Sequence, residues 1–186
     1  MRARTSGFTL VEVIIALALA GAIGAFVVRF FGAQQRAYGR QSHAMLATQN
    51  VRAGVDLLLE ELRNAGFDPR GTAGARLTVA DGDSIGWTAD LNADGDAADS
   101  GAWGDEAVLY YRDRAARTLM RRAGGIAVPV AEWIDTLSFR YFDESGTATV
   151  DPDRAVRVEL FLRFTAPSDA ISAGLLTGTT LPNRLP

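Results

Sequence analysis

Phe8-Thr9-Leu10-Val11-Glu12-Val13-Ile14-Ile15-Ala16-Leu17-Ala18-Leu19-Ala20-Gly21-Ala22-Ile23-Gly24-Ala25-Phe26-Val27-Val28 contains one ionisable side chain, Glu12. Continued through Phe31 as a helix at roughly 1.5 Å per residue, this run would be about 36 Å long, more than the ~30 Å hydrocarbon core of a bilayer. A membrane-inserted helix is therefore the first expectation. Arg2 and Arg4 precede the run and Arg29, Arg36 and Arg40 follow it, so counting basic residues does not orient it. Glu12 is the anomaly. A carboxylate at the membrane centre costs on the order of 3 kcal/mol, and such residues are functional by default. Near the helix end it could reach the headgroups; the sharper reading is that it needs a cation that only another molecule supplies.

With its flanks, Gly7-Phe8-Thr9-Leu10-Val11-Glu12-Val13 resembles the processing site of type IV prepilins and type II secretion pseudopilins. The resemblance implies that residues 1–7 are a leader, removed between Gly7 and Phe8 by a membrane-embedded prepilin peptidase. N-methylation of the new Phe8 amine would follow. Gly7 suits a protease that must approach the backbone closely, since it has no side chain to clash. The resemblance further implies that Glu12 pairs with the N-terminal amine of a neighbouring subunit, so that this buried pair forms only on assembly and sets subunit register. The implied partners are the peptidase, other pilins or minor pilins, and the inner membrane before assembly; the implied destination is the pulled-out filament, in the periplasm or at the cell surface. Three simpler readings compete. A secretory signal has a shorter apolar region and an Ala-x-Ala junction, a form that Ala20-Gly21-Ala22 takes, but the run continues to Phe31 with Glu12 inside it. A plain anchor accounts for the length but not for Gly7 or Glu12. A buried soluble helix rarely stays free of charge for so long.

The helical pattern continues past the membrane boundary. From Gln34 to Ala65, Met45 or Leu46, then Val51, Val55, Leu58, Leu59 and Leu62 fall at helical spacings, with Asp56, Glu60, Glu61 and Arg63 on the polar side. Gly66 follows as a C-terminal cap, and Gly21, Gly24, Gly32, Gly39 and Gly54 are positions where the helix could bend. After Pro69 the period changes to that of strands: Arg76–Ala80, Ser84–Thr88, Ala107–Arg112, Thr118–Arg122, Trp133–Phe142 and Ala155–Phe164. In the last two, Ile134, Leu137, Phe139 and Tyr141 (or Phe142), and Val156, Val158, Leu160 and Leu162, are the expected core faces. Ala166–Pro186, rich in Ser, Thr, Gly and Pro, is expected to be a loose tail. The expected fold is α+β and pilin-like, a long N-terminal helix packed on an antiparallel sheet. Its divisions are residues 1–7 (leader), 8–31 (membrane or filament-core helix), 32–66 (amphipathic continuation), 67–165 (periplasmic or extracellular sheet domain) and 166–186 (tail).

Gln49-Asn50-Val51-Arg52 and Glu61-Leu62-Arg63-Asn64-Ala65-Gly66-Phe67 are similar to PilW-type minor pilins. Trp133-Ile134-Asp135-Thr136-Leu137-Ser138-Phe139-Arg140-Tyr141, followed by Ala155-Val156-Arg157-Val158, resembles both these and the J-type minor pseudopilin of type II secretion. Arg29 stands where many major pilins carry a helix-kinking proline. The expected function is that of a minor pilin that takes part in pilus assembly or priming. A minor pseudopilin is the nearest alternative, and a membrane-anchored, calcium-dependent binding module is the alternative from another class.

Composition supports assembly over catalysis. The net charge of −3, two units more negative without Arg2 and Arg4, gives no basic footprint for nucleic acid. The chain has no cysteine and one histidine, so zinc catalysis and thiolate chemistry lack parts. His43 is expected at the surface or a subunit interface, Glu60–Glu61 on a solvated helix face, and Trp87, Trp103 and Trp133 around the sheet. One constellation looks metal-like. Asp90-Leu91-Asn92-Ala93-Asp94-Gly95-Asp96 alternates oxygen side chains and places a glycine at the bend, as calcium loops do. Asp90, Asn92 and Asp94 would ligate by side chain and Asp96 by its carbonyl. The final EF-hand ligand position falls on Gly101, so Asp99, Asp105 or Glu106 would have to substitute. Calcium is a possible ligand, not a required cofactor, and the same residues also suit an acidic surface turn.

Overall fold

The computed structural model describes residues 9–101, 104–166 and 172–184, and the chain divides between Ser42 and His43 into two compact units. Both draw on one helix, α1 (Leu10–Leu62). In the first unit its side chains are exposed from Leu10 to Phe31, and the helix is long and apolar enough to cross a membrane. Gly21, Gly24, Gly32 and Gly39 do not interrupt it, although a Cβ on Gly21, Gly24 or Gly39 would meet nothing within 4 Å.

In the second unit the helix is amphipathic and docked. Ala44, Ala47, Val51, Gly54, Val55, Leu58 and Leu62 are buried at the i, i+3, i+4 spacing of one face. The expected stripe was right from Val51 onward but wrong at its start. Met45 (56% exposed) and Leu46 (57%) point outward, and the small Ala44 and Ala47 occupy the contact. The helix ends at Leu62 in a turn where Gly66 takes φ 75°, a left-handed conformation that glycine adopts without strain. Its N–H donates to the Thr88 carbonyl (3.0 Å), which ties the helix end to the sheet.

The single expected sheet is two sheets. The first is ordered β1-β2-β5-β6-β7, from β1 (Leu77–Ala80), β2 (Ser84–Thr88), β5 (Ala107–Asp113), β6 (Thr118–Ala123) and β7 (Ile126–Ala131). The second is ordered β11-β10-β8-β9, from β8 (Ile134–Phe142), β9 (Ala148–Thr149), β10 (Arg157–Thr165) and β11 (Ser172–Thr180). The pairings are antiparallel, and a two-residue ribbon, β3 (Ser100–Gly101) with β4 (Gly104–Asp105), lies between β2 and β5 in sequence. The Tyr141 hydroxyl links the sheets by donating to the carbonyls of Asp81 and Ser84, both at 3.0 Å.

Ile134, Leu137, Phe139 and Tyr141 are buried as expected, and in β10 the buried set is Val158, Leu160, Leu162 and Phe164, with Val156 half-buried before the strand. These join the helix stripe and Ile85, Trp87, Tyr110 and Leu119 in one core. Trp87 and Tyr110 stack with ring centroids 5.8 Å apart. The expectation of a loose tail was wrong. Residues 172–180 form β11, paired with β10 over its whole length, and Pro182–Arg184 form a short 3-10 turn. Inward Ala173 and Leu175 pack against the core, a weak alternation that the glycines and threonines between them obscure. Trp103 lies outside the described residues.

Candidate assembly segment and acidic loop

Helix α1 starts with a reciprocal cap. Thr9 precedes the helix, and its N–H and hydroxyl both donate to Glu12 Oε2 (2.8 and 2.9 Å). In return the Glu12 N–H donates to Thr9 Oγ1 (3.3 Å). This Thr-x-x-Glu capping box satisfies donors that a helix N-terminus otherwise leaves unpaired, and it sets a negative charge at the positive end of the helix dipole. Glu12 therefore has a local role before any partner arrives. The signal was legible in Thr9-Leu10-Val11-Glu12 and was missed because the carboxylate was weighed against the membrane alone. The cap fixes the Glu12 carboxylate beside the Thr9 amide, one residue from the Gly7–Phe8 junction. Gly7 and Phe8 themselves lie outside the described residues.

The acidic loop is built around two buried carboxylates, Asp90 and Glu106. Asp90 Oδ1 accepts from Asp94 N (3.1 Å) and Oδ2 from Gly95 N (3.1 Å). Glu106 Oε1 accepts from Leu91 N (2.8 Å) and Asn92 N (3.3 Å), and Oε2 from Asp99 N (3.2 Å). Buried charge is costly unless fully hydrogen-bonded, and here backbone amides do that work. Asn92, Asp94 and Asp96 each cap the amide two residues on, in successive Asx turns. Among the described residues, no three His, Cys, Asp or Glu side chains are grouped to hold a metal ion. The Asp96 amide and the Asn92 side chain hold the Asp94 carboxyl below its usual range. The Asp94 charge, then burial and the charges of Asp96 and Glu106, push Asp99 above it. Glu106 was named only as a substitute ligand; its role as the loop's central acceptor has no local sequence signature, because its partners lie 7 to 15 residues away.

Glu61 also departs from expectation. It does not lie on a solvated face with Glu60 but forks onto Arg121 Nε (2.9 and 3.0 Å) and accepts from the Tyr110 hydroxyl (2.7 Å). Arg121 Nη2 reaches Asp105 as well (2.9 Å). The bonds to Glu61 push the Arg121 pKa up, and burial followed by the Glu61 carboxylate pushes the Tyr110 hydroxyl up, so at neutral pH the guanidinium stays charged and the phenol neutral. Arg122 lies over the Tyr111 ring, 5.5 Å from its centroid, so the Arg121-Arg122 pair is engaged within the fold. His43 is exposed.

The family model of the prokaryotic N-terminal methylation motif matches residues 2–28. No curated protein matches the chain significantly. The motif covers the basic leader, the Gly7–Phe8 junction, Glu12 and the apolar run, and it supports a pilin or pseudopilin in general. It implies processing by prepilin peptidase and points to a structural subunit. The long N-terminal helix followed by antiparallel sheets is consistent with a pilin-like fold.

Proposed function

We propose that this chain is a minor pilin, cleaved between Gly7 and Phe8, methylated on the Phe8 amine, and inserted into a type IV pilus through its N-terminal helix. The observation that carries the reading is the methylation motif on residues 2–28, joined to a helix whose apolar side chains from Leu10 to Phe31 are exposed. Exposed apolar surface on this scale needs a membrane or neighbouring helices to cover it. Before assembly the helix sits in the inner membrane as a single span with Glu12 held by Thr9. On assembly Glu12 exchanges that local cap for the amine of a neighbouring subunit. The PilW-like stretches around Arg63–Gly66 and Trp133–Tyr141, and the absence of proline at Arg29, favour a minor subunit.

The test is a Glu12→Ala variant followed in membranes and in sheared filaments. The wild-type chain is expected at low abundance in the filaments, and the variant is expected to stay in the membrane and be missing from them. A wild-type chain that never enters pili, but whose loss stops protein secretion, would overturn the pilus reading in favour of a pseudopilin.

Calcium at the Asp90–Asp99 loop is a second element of the proposal. The clustering of charge that raises Asp99 favours it, and each Asp90 carboxylate oxygen accepts one backbone amide and keeps a second lone pair. Asp90, Asn92, Asp94, Asp96 and Asp99 are the ligands it would draw on. The thermal midpoint is expected to rise in millimolar calcium relative to chelator, and to respond less in Asp94→Asn. An unchanged midpoint would refute it.

A further inference from the structure

Strand β11 is the end of its sheet, and among the described residues no strand pairs with its outer edge. An open edge is a template for another strand, and proteins ordinarily blunt such edges with charge, proline, a bulge or short length. The other edges here are treated that way. β1 has four residues and a register shift, β7 carries Pro129 and a register shift against β6, and β9 has two residues. β11 is nine residues of Ser, Ala, Gly, Leu and Thr, without charge or proline, in unbroken register with β10.

Its outward face is patterned. Leu176 (72% exposed) pairs with Phe161 (42% exposed), Gly174 with Arg163, and Gly178 with Glu159. The arrangement is symmetric about Leu176, with an apolar pair at the centre, a cation two residues to one side and an anion two residues to the other. Glycine is the residue between each of them and the edge; Arg163 Nη2 reaches back to Thr136 Oγ1 on β8 (3.4 Å), a long contact that it would exchange to extend over Gly174.

We propose that β11 pairs antiparallel with β11 of a second copy of this chain, about a two-fold axis at Leu176. Leu176 then meets the partner's Leu176, flanked by Phe161 and the partner's Phe161. Gly174 lies opposite the partner's Gly178, so Arg163 and the partner's Glu159 share a row with no Cβ between them. They are three strand spacings apart, roughly 14 Å between backbones, within the combined reach of the two side chains. The symmetric row repeats the pair, as an isologous interface requires. Register is specified. A slip of two residues sets Arg163 in line with the partner's Phe161 or with the partner's Arg157. Glu159 already accepts from Arg157 (2.8 Å), so the incoming arginine completes a cation–anion–cation cluster. This self-complementarity singles out a second copy as the occupant, over a strand from an unrelated subunit.

The chain has no cysteine, so one introduced thiol reports proximity cleanly. The experiment is oxidation of the full chain in detergent and in native membranes, carrying Leu176→Cys or, as control, Phe161→Cys. Both sites are exposed, so neither variant is expected to disturb folding. Leu176→Cys is expected to give a disulfide-linked dimer, and Phe161→Cys to give little. Adding Arg163→Glu to Leu176→Cys is expected to cut the yield severalfold, and Glu159→Arg on top of that to restore it. Equal yields at the two sites, no rescue by the charge exchange, or an adduct with a different protein in place of the homodimer would overturn the proposal. The result is independent of N-terminal processing, so it stands or falls separately from the pilin reading.

Discussion

Glu12 and Gly54 show how the meaning of a residue depends on what stands opposite it. Glu12 is a costly charge by composition and a capping residue by geometry, because Thr9 supplies two donors to one carboxylate oxygen. Gly54 was expected to be a weak point in the helix, and it is a close contact instead. A Cβ there would lie 2.6 Å from the Val130 carbonyl oxygen and 2.8 Å from the Ala131 Cβ, whereas one on Gly39 would meet nothing within 4 Å. Backbone cannot give way as a flexible side chain can, so overpacking outweighs the gain in helix propensity. Gly54→Ala is expected to destabilise the second unit by about 1–2 kcal/mol in chemical unfolding. Gly39→Ala, which has only the propensity gain, is expected not to lower stability. Equal behaviour of the two variants would remove the close-packing argument.

Among the elements, the ones with a strong period were legible in the sequence. The helix from Val51 to Leu62 and strands β8 and β10 announce themselves because their buried residues are large and regularly spaced. β7 and β11 were missed for the opposite reason. β7 contains Pro129 and exposes Ile126 and Val128, and the inward side of β11 is half-filled by Ala, Leu and Thr. Sheet division was also illegible, since it depends on which strands pair across long separations. The Glu61–Arg121–Tyr110 junction is of this kind, joining residues 49 and 60 positions apart. It holds the last turns of the helix to β5 and β6. Glu61→Gln removes the charge and one of the two acceptor oxygens that face Arg121 Nε and Tyr110, leaving Asp105 as the carboxylate on Arg121, and is expected to cost about 2 kcal/mol. An exposed Glu60→Gln change is expected to cost much less, and a comparable loss in both variants would contradict the junction's structural role.

At the scale of the whole molecule, one helix serves two solvents. Its docked turns bury small and branched residues against the sheets, while the turns from Leu10 to Phe31 present apolar surface that no other described residue covers. The first half of that division was legible because membrane length, Glu12 and the Gly7–Phe8 junction coincide within residues 2–28, where the methylation motif also matches. The second half needed the sheets, whose contacts decide which small residues are covered. The central claim is that the N-terminus is made by processing. It is tested most directly by mass spectrometry of the N-terminal peptide of protein purified from its native membranes. The account predicts a peptide beginning at Phe8 and heavier by one methyl group; an intact Met1, or a start beyond Ala22, would contradict it.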